Sequence, residues 1–152
     1  MQLTRFSDLA LRTLMRLGEG SAIDGPRMTV AELASAVEAP EGHVAKVVSR
    51  LARIGVVRSL RGRTGGVVLE DSAAARSVGS LLRELEPQTP VIDCIRPSPC
   101  PYLEGDCLLR HRLADATESF YRSLDDLRVA DLIADASKAR GKPVALGLPH
   151  TP

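Results

Sequence analysis

Thr29-Val-Ala-Glu-Leu-Ala-Ser-Ala-Val-Glu-Ala-Pro-Glu-Gly-His-Val-Ala-Lys-Val-Val-Ser-Arg-Leu-Ala-Arg-Ile-Gly55 decides the fold of this chain. Thr29-Val30-Ala31-Glu32 is a capping box. The Thr hydroxyl can accept from the third amide of a helix while the Glu reaches back to the Thr amide. Val30, Leu33, Ala34 and Val37 follow at i, i+3, i+4 and i+7, one apolar face of that helix. The pattern breaks at Glu38-Ala39-Pro40, and Pro40 suits the first turn of a second helix, where a missing N–H costs nothing. The second helix is predicted to run to about Ile54, with Val44, Val47, Val48 and Leu51 inward and Gly55 as its C-terminal cap. Two short helices joined by a tight turn make a helix-turn-helix.

On the C-terminal side come two β-branched runs, Val56-Val57 and Val67-Val68-Leu69, around Arg61-Gly62-Arg63-Thr64-Gly65-Gly66. Strand, Gly-rich turn and strand predict a hairpin, the wing of a winged-helix domain. On the N-terminal side, Leu3, Phe6, Leu9, Ala10, Leu14 and Leu17 predict an amphipathic helix over 2–18, ended by Gly18 and Gly20, with a Gly/Pro loop over 20–28. Ser77–Glu86 reads as a further helix through Val78, Leu81, Leu82 and Leu85. Residues 87–107 hold half of the 10 prolines and all three Cys, and a loop this long in a small domain is functional or disordered; the Cys favour function. Residues 108–127 are predicted as the longest helix, in which Leu109, Leu113, Ala116, Phe120 and Leu127 approach a heptad seam. Such a seam suits dimerisation, or packing on the chain's own core. Residues 137–152 read as a loose tail. The expected fold is mainly α with a small β-hairpin wing: a winged helix-turn-helix plus a long dimerisation helix. Three regions are expected: 1–75 for DNA binding, with the first helix also at the dimer interface; 76–136 for the Cys loop and dimerisation helix; and 137–152 as tail.

Composition narrows the function. The chain has 152 residues, 44% apolar, enough to bury a core. Aromatics are 3% and Trp is absent, which disfavours π-stacking platforms for carbohydrate or single strands. No apolar run approaches the roughly 18 residues of a membrane span. Arg5, Asp8 and Arg12 interrupt the N-terminal apolar residues, unlike a signal peptide. A soluble, cytoplasmic protein is expected, with no membrane partner. Net charge is +1, but Gly42–Leu69 contains six bases and no acid, which leaves 14 bases against 19 acids elsewhere. A basic block in an otherwise acidic chain is a footprint for a polyanion or, more simply, a solvated face.

His43, Lys46, Arg50 and Arg53 lie opposite the apolar face of the second helix of the motif. A stripe of donors on one helix can enter a major groove and bond to base edges and phosphates. Arg61 and Arg63 at the wing tip could enter the adjacent minor groove, where narrow A·T-rich geometry attracts Arg. Any single one of these could be a plain surface charge; together, and in this order, they point to double-stranded DNA.

The three Cys, Cys94, Cys100 and Cys107, are spaced C-x5-C-x6-C. An odd number in a reducing compartment argues against a disulfide framework. Zinc sites show closer pairs and four ligands in all, and a thioredoxin-like C-x-x-C is absent. Three thiolates in a Pro-stiffened loop suit an iron–sulfur cluster whose fourth ligand comes from elsewhere; three buried structural Cys are the plain alternative. A non-Cys fourth ligand would leave one iron labile, which suits sensing.

The opening Met1–Leu17, the run Val47–Val57, the wing Arg61–Gly66, the three-Cys loop and Val129–Ile133 together resemble the NsrR-like nitric-oxide-sensing repressors. These share a superfamily of iron–sulfur winged-helix regulators with the IscR-like proteins. The resemblance covers nearly all of the chain except the tail. It implies a homodimer with one [4Fe-4S] cluster per subunit on Cys94, Cys100 and Cys107; a two-fold dimer built on the 108–127 helix is expected to bind a pseudo-palindromic operator. It implies that nitric oxide attacks the cluster and releases DNA. In NsrR-like proteins the fourth ligand can be an Asp from the partner's first helix, and Asp8 stands at that place; Arg12, four residues on, can pair with it. IscR-like members use a His of the Cys region, for which His111 is the nearest candidate and a solvated helix residue the plain reading.

The leading expectation is therefore a transcription repressor and not an enzyme. A regulator sensing redox state or iron–sulfur supply is the neighbouring alternative. A small iron–sulfur electron-transfer protein is the alternative of a different class, though the chain lacks C-x-x-C, a Rossmann glycine fingerprint and a convincing acid–base pair. A zinc-dependent repressor is a third.

Overall fold

Helix α1 (Arg5–Gly18) starts at Thr4, whose hydroxyl accepts from the Ser7 amide at 3.2 Å, and it buries Ala10, Thr13, Leu14 and Leu17. The computed structural model describes residues 3–19, 27–62, 65–87, 92, 100 and 107–139. Helix α2 (Val30–Ala36) opens with the complete capping box: Thr29 Oγ1 accepts from the Glu32 amide at 3.2 Å, and Glu32 Oε2 accepts from the Thr29 amide at 2.7 Å. Those bonds satisfy two amides left over at the helix start and hold the Glu32 carboxyl below its usual value. Helix α3 (Glu41–Arg53) follows a turn in which Glu38 adopts φ 52°. Pro40 is the cap preceding α3 rather than a residue of its first turn. Gly55, at φ 71°, takes the left-handed position just past the helix end.

Strands β1 (Val57–Leu60) and β2 (Gly66–Leu69) pair antiparallel with Val57 opposite Leu69 and Leu60 opposite Gly66. The wing is also tied inward. Met28 and Val67 exchange both backbone hydrogen bonds, at 3.2 and 2.7 Å, so the segment before α2 acts as a one-residue third strand. Gly66 faces the Met28 backbone, where a β-carbon would come within 3.1 Å. A short 3-10 turn (Ala73–Ala75) leads to α4 (Val78–Leu85), capped by Ser77.

The reading of 108–127 as one helix is corrected. Helix α5 (Leu108–Arg122) stops short, and a separate α6 (Val129–Ala139) follows. The cause is the start of α4, whose first amides need acceptors. Val78 N–H donates to the Leu127 carbonyl at 2.8 Å and Gly79 N–H to the Leu124 carbonyl at 3.0 Å. Backbone that serves these donors leaves the helix. The tail reading of 137–152 changes in the same way: residues 137–139 end α6, and 140–152 lie outside the described residues. Helix α6 packs back on α1 and the 3-10 turn, with Val129 fully buried. One core joins Ala10, Leu14 and Leu17 of α1 to Leu33, Val44, Val47, Leu51, Val56, Val67, Leu81 and Val129. By contrast α5 buries none of its residues, and Leu108 and Leu109 stay 67% and 60% exposed.

Candidate nucleic-acid interface and cluster-binding residues

The inward face of α3 is fixed by Val44, Val47, Val48 and Leu51, all buried, which turns His43, Lys46 and Arg53 to the surface. Arg61 is exposed beside Gly62, whose φ of 109° turns the chain at the wing tip. Arg63 lies outside the described residues. Arg50 is different from its neighbours. It is half-buried, and its Nη2 donates to the Glu84 carbonyl at 2.6 Å, so the guanidinium serves the C-terminal end of α4. A cation there meets carbonyls that lack helix partners and carry the negative end of the helix dipole. Glu84 is held a second time by Arg76, whose other Nη donates to the Ile54 carbonyl at 3.4 Å, just past the end of α3.

A shallow groove between α1 and α3 is lined by Phe6, Ala45, Lys46, Ser49, Arg50 and Arg53. Ser49, exposed on the same strip as Lys46 and Arg53, offers a hydroxyl to a polyanion. A search by charge alone passes over it; its i+3 spacing from Lys46 was the available signal.

Asp8 is exposed on α1 and pairs with Arg12 Nε at 3.0 Å, as the i, i+4 spacing predicts. Both remain more than half exposed, so each has room for a further partner. Asp8 and Arg12 also share a groove of about 590 Å³ with Val37, Pro40, His43 and Lys46. The structure thus places the expected fourth ligand and two expected DNA residues on one cleft.

Cys100 and Cys107 are free, half-buried thiols. Cys107 is the N-terminal cap residue of α5, and its carbonyl accepts from the His111 amide at 3.2 Å. Cys94 lies outside the described residues, and His111 is exposed one turn into α5. Among the described residues no three His, Cys, Asp or Glu side chains converge. The donor set still fits an iron–sulfur cluster: two unpaired thiols, a third Cys in the same loop, and an exposed carboxylate.

The family model for Rrf2, described as an iron-dependent transcriptional regulator, matches residues 3–135. The chain belongs to the Rrf2 family. It is 49% identical over 152 residues to the HTH-type transcriptional repressor NsrR of Streptomyces coelicolor, covering 100% of this chain and 99% of that one. It is 35% identical over 143 residues to the HTH-type transcriptional regulator NsrR of Geobacillus kaustophilus, covering 92% and 95%. Among solved structures it is similar to an IscR from T. potens (TM-score 0.67, 19% identity, 95% and 94% covered). The cysteine regulator CymR of B. subtilis is also similar (TM-score 0.64, 21% identity, 89% and 98% covered). These likenesses establish the winged-helix fold of an Rrf2 protein. The Rrf2 family is one of transcription regulators, not catalysts. None of the described helices is long and apolar enough to cross a membrane.

Proposed function

We propose that this Rrf2 protein is a cytoplasmic homodimeric repressor that senses nitric oxide through one [4Fe-4S] cluster per subunit. The observation that carries the reading is full-length similarity to NsrR in a chain that contains Cys94, Cys100, Cys107 and Asp8. Cys94, Cys100 and Cys107 would hold the cluster, and Asp8 of the partner subunit would supply the fourth ligand. A carboxylate is a harder and weaker ligand for iron than a thiolate, so Asp8 would be the ligand most readily displaced. Arg12 orients Asp8 and competes for it. When bound, the cluster supplies iron that reacts with nitric oxide; the chain's part is to hold that iron loosely and to read DNA.

His43, Lys46, Arg53 and Ser49 face the major groove, Arg61 and Arg63 the minor groove, and Arg50 joins them only if it leaves Glu84. The exposed leucines of α5 form the two-fold interface, which sets the two heads on the halves of a pseudo-palindromic operator. In this reading residues 1–75 are the DNA-binding region, closed by Val129 and Ile133 of α6, and 76–136 otherwise carry the sensor and dimer functions.

The test is anaerobic purification, followed by a visible spectrum and iron and sulfide analysis, then nitric oxide titration against operator binding. A brown, cluster-loaded dimer that releases DNA as nitric oxide is added is the expected result. Each Cys→Ala variant should lose the chromophore, and one that keeps a full, stable cluster removes that residue from the ligand set. A colourless zinc protein sinks the sensor reading. A second reading, cluster supply as the signal, draws on the iron-dependent description of the family. It expects release on iron chelation and indifference to nitric oxide.

A further inference from the structure

The end of α5 and the turn after it meet α4 in two regions: its first turn, through Ser77, Val78 and Gly79, and one turn further on, at Arg83. One is a pivot at Gly79 of α4: its amide donates to the Leu124 carbonyl at 3.0 Å, and a β-carbon there would strike the Tyr121 carbonyl and the Asp125 carboxylate. The other lies one turn further along the same face of α4, at Arg83. Its Nε and Nη2 donate to the two oxygens of Glu118 at 3.2 and 2.7 Å. Its Nη1 and Nη2 donate to the two oxygens of Asp125 at 2.7 and 3.1 Å. The guanidinium also stands 5.4 Å from the centroid of the Tyr121 ring. Glu118 and Asp125 are seven residues apart, so Arg83 bridges the last two turns of α5 and the turn beyond. At the N-terminal end of α5, Leu108 and Leu109 are exposed.

A helix touching at a single point can swing about it; a second contact fixes the angle. We propose that Arg83 is a specificity-determining positioning residue. By clamping Glu118 and Asp125 it sets the angle between head and α5, and through that angle the half-site spacing that the dimer accepts. This rests on the reading of α5 as the dimer helix.

The lever is long enough to matter. A swing of about 10° across a head roughly 20 Å deep moves α3 by about 3.5 Å, against a base-pair rise of about 3.4 Å. In a two-fold dimer both heads move, so the spacing changes by more. The planar fork of Arg suits two carboxylates at once in a way the single ammonium of Lys does not. Arg83 is on α4, whereas the exposed DNA residues His43, Lys46 and Arg53 lie on α3 and Arg61 on the wing.

The experiment uses full-length protein isolated anaerobically: wild type, Arg83→Ala, Arg83→Lys and Glu118→Gln. The probe is a two-fold duplex selected by the wild type from random DNA, remade with one or two base pairs inserted or removed at its centre. Wild-type affinity is expected to fall at least about tenfold for a one-base-pair change, the scale of a misplaced half-site contact. Arg83→Ala and Glu118→Gln should bind all spacings within about threefold of one another, with Arg83→Lys between. Dimer mass and the salt dependence of binding to random DNA should not change.

If Arg83→Ala keeps the wild-type optimum at uniformly lower affinity, Arg83 is a structural residue only and the proposal is overturned while the dimer reading stands. A wild type with no spacing optimum, or one that is monomeric, overturns the dimer reading and the proposal with it. Should Arg83→Ala fail to fold, Glu118→Gln leaves the Arg83–Asp125 pair in place and decides the question by the same measurement.

Discussion

Ile133 of α6 occupies the space that a β-carbon on Gly18 of α1 would need. The contact brings the last described helix onto the first, and Gly18 is what lets them approach. The Gly18→Ala substitution forces Ile133 outward, an overpacking cost of about 1–3 kcal/mol. Chemical denaturation should show a lower midpoint for Gly18→Ala. The double variant with Ile133→Val should recover part of it, because a smaller side chain reopens the space.

Glu38 should be improvable. It sits at φ 52°, exposed, in the turn between α2 and α3, a conformation that costs a side-chain-bearing residue about 1 kcal/mol more than Gly. Glu38→Gly is expected to raise stability by up to about 1 kcal/mol, less the entropy Gly loses on folding. A fall in the unfolding midpoint would mean that the turn is held by more than its backbone.

Arg50 should behave unlike Lys46 and Arg53. Its bond to the Glu84 carbonyl is part-buried, so Arg50→Ala is expected to destabilise the protein by about 1 kcal/mol as well as to weaken DNA binding. Lys46→Ala and Arg53→Ala, both exposed, should leave stability within about 0.5 kcal/mol and flatten the salt dependence of binding by about one unit each. Equal stability in all three variants would show that the Arg50 tie does not persist in solution.

The Asp8–Arg12 pair predicts a split between cluster and fold. Both groups are exposed, so Asp8→Ala should leave the stability of cluster-free protein within about 0.5 kcal/mol. Under anaerobic conditions the same variant should lose its cluster faster and bind operator more weakly. If spectrum, cluster lifetime and operator affinity all match wild type, Asp8 is a surface ion pair and the search for a fourth ligand moves to His111.

Acid should undo the Arg83 clamp late. Hydrogen bonds from Arg83 hold the carboxyls of Glu118 and Asp125 below their usual values. A carboxyl depressed in the folded state contributes stability above its unfolded value and loses it as pH falls through the folded one. The clamp is therefore intact at neutral pH and is lost below the ordinary carboxylate range of about 4. Thermal unfolding of wild type and Arg83→Ala should differ near neutrality and converge in acid; a constant gap would mean that the charges do not act.

Much of this fold is legible in residue spacing because its cues are local. Thr29 and Glu32 bond to each other's backbone, the apolar set of α3 repeats at helical period, and Gly55 marks its end. Where α5 ends is not local. Leu127 continues the apolar seam, but its carbonyl is claimed by Val78 from α4. Helix α6 had a readable signal in Val129, Leu132, Ile133 and Ala136, at i, i+3, i+4 and i+7, with Asp131 accepting from the Arg128 amide at 2.8 Å. At the site, charge spacing identifies the exposed face of α3, yet it cannot separate Arg50, engaged with Glu84, from its free-standing neighbours. The proposed fourth ligand is the least legible of all, since no spacing along one chain can separate an exposed Asp8–Arg12 pair from a carboxylate offered to a second chain.

Helix α6 also bears on how the protein is made. A chain leaves the ribosome N-terminus first, and domains fold as units once their contacts are available. Here the DNA-reading head contains Val129 at its centre and Ile133 against Gly18, so the head is unfinished until nearly the last described helix has emerged. By then Cys94, Cys100 and Cys107 have all been translated. A product that stops before Val129 therefore lacks the residues that close the core of the head.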